Sequence, residues 1–226
     1  MEQRRRKMPA RSQPAGITAL LEGMARTEPL SRLLKEIRSC RQCVEAPCGA
    51  PLPHQPRPVL QASKSARIAI FGQAPGTRVH ASGRPFTDPS GERLRGWLGI
   101  GSEVFYDEAR IAIIPMGFCF PGLDAKGGDL PPRTECAPLW RARLMAALPG
   151  VETAVLVGCY AQRWHLGERA SKSLSETVAA WKDFAPEFFP TPHPSWRNNA
   201  WLKKNPWFEA ELLPALRRQV RRLVGG

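Results

Sequence analysis

Apolar residues recur at helical spacing over residues 17–26 and 31–39, and Leu30, Leu33, Leu34 and Ile37 share one face of the second stretch. The pattern then changes to short unbroken apolar runs. Arg67-Ile68-Ala69-Ile70-Phe71 stops at Gly72, Arg110-Ile111-Ala112-Ile113-Ile114 stops at Pro115, and residues 153–157 and 188–191 repeat the theme. Runs of this length bounded by Gly or Pro read as buried strands. Helical stretches separate them: 90–98 with Ser90 as its cap, 134–148 opening at Thr134 and stopped by Pro149-Gly150, and 160–165. Asn205-Pro206 opens a last helix that runs toward Leu223, with a kink expected at Pro214. Residues 40–61, rich in Pro and Cys, read as an irregular segment wrapped around the core.

Strands alternating with helices across crossover-sized gaps predict an α/β fold, three layers α/β/α around a central, mainly parallel four-stranded sheet. One domain is expected over 17–226, preceded by a disordered basic tail at 1–16. Ligands of such sheets sit beyond the carboxyl ends of the strands, so the loops after Phe71, Pro115 and Thr191 are where chemistry belongs.

Composition adds charge to this picture. Lys and Arg number 33 against 20 Asp and Glu, a formal net charge of +13 that attracts polyanions, nucleic acid above all. Part of it lies in Arg4-Arg5-Arg6-Lys7 and in Arg217, Arg218, Arg221 and Arg222. No apolar run approaches the ~20 residues of a membrane span, and the first sixteen residues lack the apolar stretch of a secretory signal. A cytoplasmic location is therefore expected. Six cysteines without an export signal point to metal ligation or inert burial rather than to disulfides.

Gly72-Gln73-Ala74-Pro75-Gly76 after the first strand is a tight turn with exposed amides, and no Gly-Lys-Ser/Thr follows to make it a nucleotide loop. Phe86, in Gly83-Arg84-Pro85-Phe86, either stacks on a planar base, worth ~1–3 kcal/mol, or belongs to the core. Pro192 and Pro194 hold His193 beside Ser195, Trp196 and Arg197, the rigid placement that chemistry requires. Cys40-x-x-Cys43 is a metal-type pair. Cys119 and Cys136 are the other two candidates, and four thiolates suit [4Fe–4S] or tetrahedral zinc. Cys48 and Cys159 read as inert, Cys48 being the nearer to a substitute ligand.

GQAPG, GRPF and PHPS, in this order and each beside its expected strand, resemble the uracil-DNA glycosylase superfamily over residues 40–207. The four cysteines resemble its fourth, iron–sulfur family. The resemblance implies hydrolysis of the N-glycosidic bond of uracil, or of another deaminated base, in DNA to begin base-excision repair. It further implies a [4Fe–4S] cluster on Cys40, Cys43, Cys119 and Cys136 rather than zinc, and a monomer associated with the nucleoid through DNA. Gly72, Gln73 and Ala74 would contact the pyrimidine, Phe86 would stack on it, His193 would face its O2, and Ser195 to Arg197 would meet the DNA.

Departures accompany the likeness. Ala74 stands where the best-known branch has its water-activating aspartate, Gln73 where the iron–sulfur branch has Glu, and Pro115 or Met116 where asparagine reads uracil. Asp88 and His80 are the nearest candidates to position water, with Asp88 equally readable as a turn residue before Pro89-Ser90. Residues 117–133 lack the histidine of a covalently trapping branch, so turnover is expected. Two other readings stay open: a catalytically weak binder of damaged bases or single strands on the same fold, and a four-cysteine redox or zinc module unrelated to DNA.

Overall fold

The computed structural model describes residues 28–225; the basic tail 1–16 and the helical stretch 17–26 lie outside the described residues. The order of elements is α1 (Leu30–Arg38), α2 (Gln42–Glu45), β1 (Ile68–Phe71), α3 (Thr77–Ser82), α4 (Pro89–Leu98), α5 (Ser102–Phe105), β2 (Ile111–Ile113), α6 (Cys136–Ala146), β3 (Thr153–Val157), α7 (Cys159–Leu166), α8 (Leu174–Ala179), β4 (Phe188–Thr191), α9 (Asn199–Lys204) and α10 (Leu213–Val224). Among the described residues no helix is long and apolar enough to cross a membrane.

All four strands run parallel in the order β2-β1-β3-β4, with Ile68 opposite both Ile111 and Thr153, and Ala154 opposite Phe188. Strand alternation divides the side chains between two cores. Ala69, Phe71, Ala112, Ala154 and Leu156 face α1, α6 and α7. Ile68, Ile70, Ile111, Ile113, Val155 and Val157 face α4, α5 and α10. Register aligns Ala69 with Ala112 and Ala154, a row of small residues that admits the helices closely. Each fully buried Leu or Ile, such as Leu33, Ile37 or Leu144, contributes roughly 1.5–3 kcal/mol by leaving water. The three-layer expectation holds, and the sheet is wholly rather than mainly parallel.

The wrapping segment also covers an edge. Gln61 and Ile113 exchange backbone hydrogen bonds of 3.0 and 2.8 Å in an antiparallel bridge, and the Gln61 amide donates to the carbonyls of Phe105 and Ile111.

Helix starts differ from expectation: α6 begins at Cys136 rather than at Thr134, and two larger differences have clear causes. Asp88, not Ser90, caps α4: its Oδ1 accepts from Gly91 N at 3.2 Å and from Ser90 Oγ at 2.6 Å. Pro89 has no N–H and takes the first helical position, so the acceptor must precede it. At the other end of the chain, Pro214 lies in the first turn of α10, preceded by π-helical residues Phe208–Leu212. Missing an N–H, the proline cannot complete the ladder, and the expected kink becomes a wide turn and a fresh start.

Two polar side chains lie on the Phe71 ring. Arg141 of α6 is buried and donates to the carbonyls of Ile114 (3.2 Å) and Pro115 (2.8 Å), with its guanidinium 4.8 Å from the ring centre. Desolvation pulls its pKa down to about 10. His165 of α7 stacks on the same ring at 3.9 Å, and its Nε2 is buried with no hydrogen-bond partner among the described residues. Burial, and then the Arg141 charge, hold this imidazole well below its usual pKa.

The arginines of α10 lie at the amino end of the sheet, away from the loops where chemistry was expected. Arg217 donates to the carbonyls of Trp97 and Gly96 at the end of α4, and Arg222 shares Glu152 with Arg67, which precedes β1. Arg217 and Arg222 therefore serve the fold as well as adding positive charge.

The stretch between α3 and α4 is held under constraint. Phe86 has φ 53°, a left-handed conformation uncommon for an aromatic residue. Its carbonyl accepts from Tyr106 Oη at 3.0 Å, and its backbone approaches Gly91 so closely that a Cβ there would overlap the Phe86 carbonyl.

Two outcomes are expected. Gly91→Ala should lower the melting temperature, whereas Gly96→Ala, where nothing lies within 4 Å, should stabilise the same helix by roughly 0.4–1 kcal/mol. His165 is neutral when folded but takes a proton below about pH 6.5 when unfolded, so its contribution is complete above that pH and is lost as pH falls. His165→Phe should flatten the acid side of the stability profile, by up to about 1.4 kcal/mol per pH unit in a pH series of chemical denaturation.

Candidate active site

Three loops meet beyond the carboxyl ends of the strands. The turn after β1 is knitted to the loop after β2, since Met116 N donates to Gly72 O (2.8 Å) and Gly117 N to Gln73 O (3.0 Å). Between them lies a cleft of about 510 Å3 lined by Gly72, Gln73, Ala74, Phe86, Asp88, Pro115, Asp129 and His193. It opens onto a groove of about 1020 Å3 bordered by Arg78, Arg93, Ser195, Trp196 and Arg197.

His193 follows β4 between two buried prolines, and Asn198 Nδ2 holds its carbonyl at 2.7 Å. Burial lowers its pKa; the Asp88 charge opposes that shift and Arg197 adds to it, leaving a neutral imidazole at pH 7. Arg93 of α4 fixes the same loop by donating to Ser195 O (3.1 Å) and Asn199 Oδ1 (2.9 Å). Ser195 Oγ accepts from Arg197 N, so this hydroxyl shapes the turn. Trp196 is 72% exposed, with the Arg197 guanidinium 5.9 Å from its ring centre. Phe86 is half-buried: it packs edge-on against Phe105, as a core residue would, and it also lines the cleft.

Not every expected residue is here. His80 borders neither cavity; its ring lies 4.3 Å from His54 and 5.8 Å from Phe120. Helix α3 explains the difference, because burying Val79 turns the next side chain to another face. Met116 is buried and accepts from Arg141, leaving Pro115 at the cleft where the resemblance would place asparagine. The sequence reading missed Asp129, whose one available signal was an acidic residue in the loop after β2.

The cysteines form a second locus beside the first. Cys43, Cys119 and Cys136 are buried and Cys40 half-buried, while Cys48 is exposed and Cys159 half-buried. Cys119 lies within electrostatic reach of Cys43 and Cys40, and Cys136 of Cys43 and Cys119. Desolvation pushes Cys43 up to about 11, and Cys119 and Cys136 up to about 12. Donors aim at the sulfurs: Phe118 N at Cys136 Sγ (3.4 Å), the Arg57 backbone at Cys119, and the Arg133 side chain at Cys43. Among the described residues, no group of three or more His, Cys, Asp or Glu is gathered as the ligand shell of a metal ion.

A parallel sheet with a Gly/Pro turn, a constrained phenylalanine and a proline-clamped histidine around one cleft is a specific combination. A family model for the uracil DNA glycosylase superfamily matches residues 60–217, from the edge bridge of the wrap into α10 and across every cleft residue named above. With a match over more than half its length, the chain belongs to the uracil DNA glycosylase superfamily, and its function is of the DNA glycosylase type.

Proposed function

We propose that this protein removes uracil, and other deaminated bases that fit the same cleft, from DNA by hydrolysing the N-glycosidic bond. The placement of His193 supports this most directly: a neutral imidazole, rigidly held, in a cleft with Gln73 and Phe86. A base extruded from the helix would lie against the Phe86 ring beside the Gly72-Gln73-Ala74 turn, with its backbone in the groove of Arg78 and Arg197. Breaking the bond leaves negative charge on O2 of the base. A neutral imidazole donating its N–H meets that charge as it develops, a preorganised donor stronger in the transition state than in the ground state. Asp88 stands near, with one oxygen taken up by the α4 cap. The binding-only alternative drew its support from missing carboxylates, and the cleft contains two, Asp88 and Asp129.

The fourth-family part of the reading concerns the cysteines. Cys43, Cys119 and Cys136 each receive a donor at sulfur and Cys40 lies within electrostatic reach of Cys43 and Cys119, so four thiols stand near one another, a ligand set of the kind a [4Fe–4S] cluster takes, with zinc as the alternative. Cys40, Cys43, Cys119 and Cys136 would hold it. Such a cluster would supply structure, joining the wrapping segment to the loop after β2 and to the start of α6.

Uracil release from a labelled oligonucleotide, followed by alkaline cleavage of abasic sites, tests the activity. His193→Ala should slow single-turnover excision by about 10²–10³-fold, while binding of an uncleavable analogue changes little. Asp88→Asn keeps a capping acceptor and should leave the melting temperature nearly unchanged, with Asp88→Ala costing about 1 kcal/mol. A His193→Ala protein at the wild-type rate would end the mechanistic reading. Anaerobically purified protein should be brown and contain iron and acid-labile sulfide. Zinc without iron would sink the cluster, and Cys136→Ser should lose colour and solubility where Cys159→Ser does not.

A further inference from the structure

Five residues border both the inner cleft and the outer groove: Gly76, Asp88, Ser90, Asp129 and His193. A base in the cleft and its sugar in the groove would be joined across this seam, so the bond that breaks lies beside it. This step rests on the glycosylase reading above. The carboxylates nearby are not equivalent. Asp88 Oδ1 holds the start of α4, and Asp124 Oδ1 accepts from Lys126 N and Gly128 N, each at 2.8 Å, to shape the loop after β2. The Asp129 side chain accepts no hydrogen bond among the described residues. A bridge to Leu123 fixes its backbone, and its Oδ2 reaches to 3.2 Å from where a Cβ on residue 76 would stand. Glycine at 76 leaves that space open.

We propose that Asp129 is a catalytic residue, its carboxylate holding the attacking water and balancing the positive charge that builds at C1′ of the deoxyribose. The C1′–N bond breaks with its electron pair leaving on the base, where His193 meets the charge at O2. A water oxygen bonds to C1′, one water proton passes to the Asp129 carboxylate and then to solvent, and the departing base takes a proton from solvent. Asp88 and Arg197 both act on the Asp129 charge, Asp88 disfavouring and Arg197 favouring it, while partial burial opposes ionisation most. A carboxylate already stripped of part of its water gains most from a cation forming beside it.

The test uses the full chain and two oligonucleotides, one carrying a cationic pyrrolidine in place of the sugar and one the neutral tetrahydrofuran. The wild-type protein should prefer the pyrrolidine by about tenfold or more. Asp129→Asn should erase that preference, leave tetrahydrofuran binding and the melting temperature nearly unchanged, and slow single-turnover uracil release by about 10²-fold or more. Asp129→Ala, as a second variant, should behave alike. A preference absent from the wild-type protein, or surviving in Asp129→Asn, overturns the assignment. The two readings fail separately. If Asp129→Asn excises at the wild-type rate while His193→Ala is slow, Asp129 is excluded and the glycosylase stands. If the analogue preference depends on Asp129 but no deaminated base is released, the seam is assigned and the substrate reading falls.

Discussion

Burying a guanidinium carries a desolvation penalty of several kcal/mol, and Arg141, with no carboxylate partner among the described residues, offsets it with the carbonyls of Ile114 and Pro115 and the face of Phe71. Phe71 ends β1, and Ile114 and Pro115 are the first residues past β2. One side chain therefore fixes the departure points of the Gly72 turn, which lines the cleft, and of the loop that carries Cys119 and Asp129. It also belongs to α6, whose first residue is Cys136. Cleft and cysteine locus are thus built from the same corner of the sheet, and a change at position 141 would be felt in both.

Charge is divided along the strand direction. At the amino ends, arginines cap α4 and pair with Glu152; at the carboxyl ends, Arg78 and Arg197 face the open groove while Arg93 is tied down inside it. Formal charge alone does not distinguish these uses. For steering a polyanion, the side chains that matter are those at the groove, since charges engaged elsewhere are partly neutralised and lie on the far side.

The sheet was legible because a strand buried on both faces has to be an unbroken apolar run, and Ile68–Phe71 and Thr153–Val157 are such runs between Gly or Pro stops. His193 was legible because two prolines restrict it whatever surrounds it. What escaped depended on distant partners. Nothing local says that α3 turns His80 toward His54, or that Asp129 comes back to Gly76 from more than fifty residues away. Asp88 was half legible: its position before Pro89 marks a cap, but only the folded chain brings it beside His193. Gly91 carried an unread signal, for a glycine in a first helical turn is disfavoured unless another backbone needs the room.

The bridge between Gln61 and Ile113 has a consequence for assembly. A parallel sheet of four short strands exposes two edges, each a row of donors and acceptors able to recruit a strand from another chain. On the β2 side that row already has a partner, supplied by a segment with no strand of its own. On the β4 side, Pro190 removes a donor from the outermost strand. A stray strand thus meets a blocked border on one side and an interrupted one on the other, which guards a crowded solution of this protein against edge-to-edge aggregation.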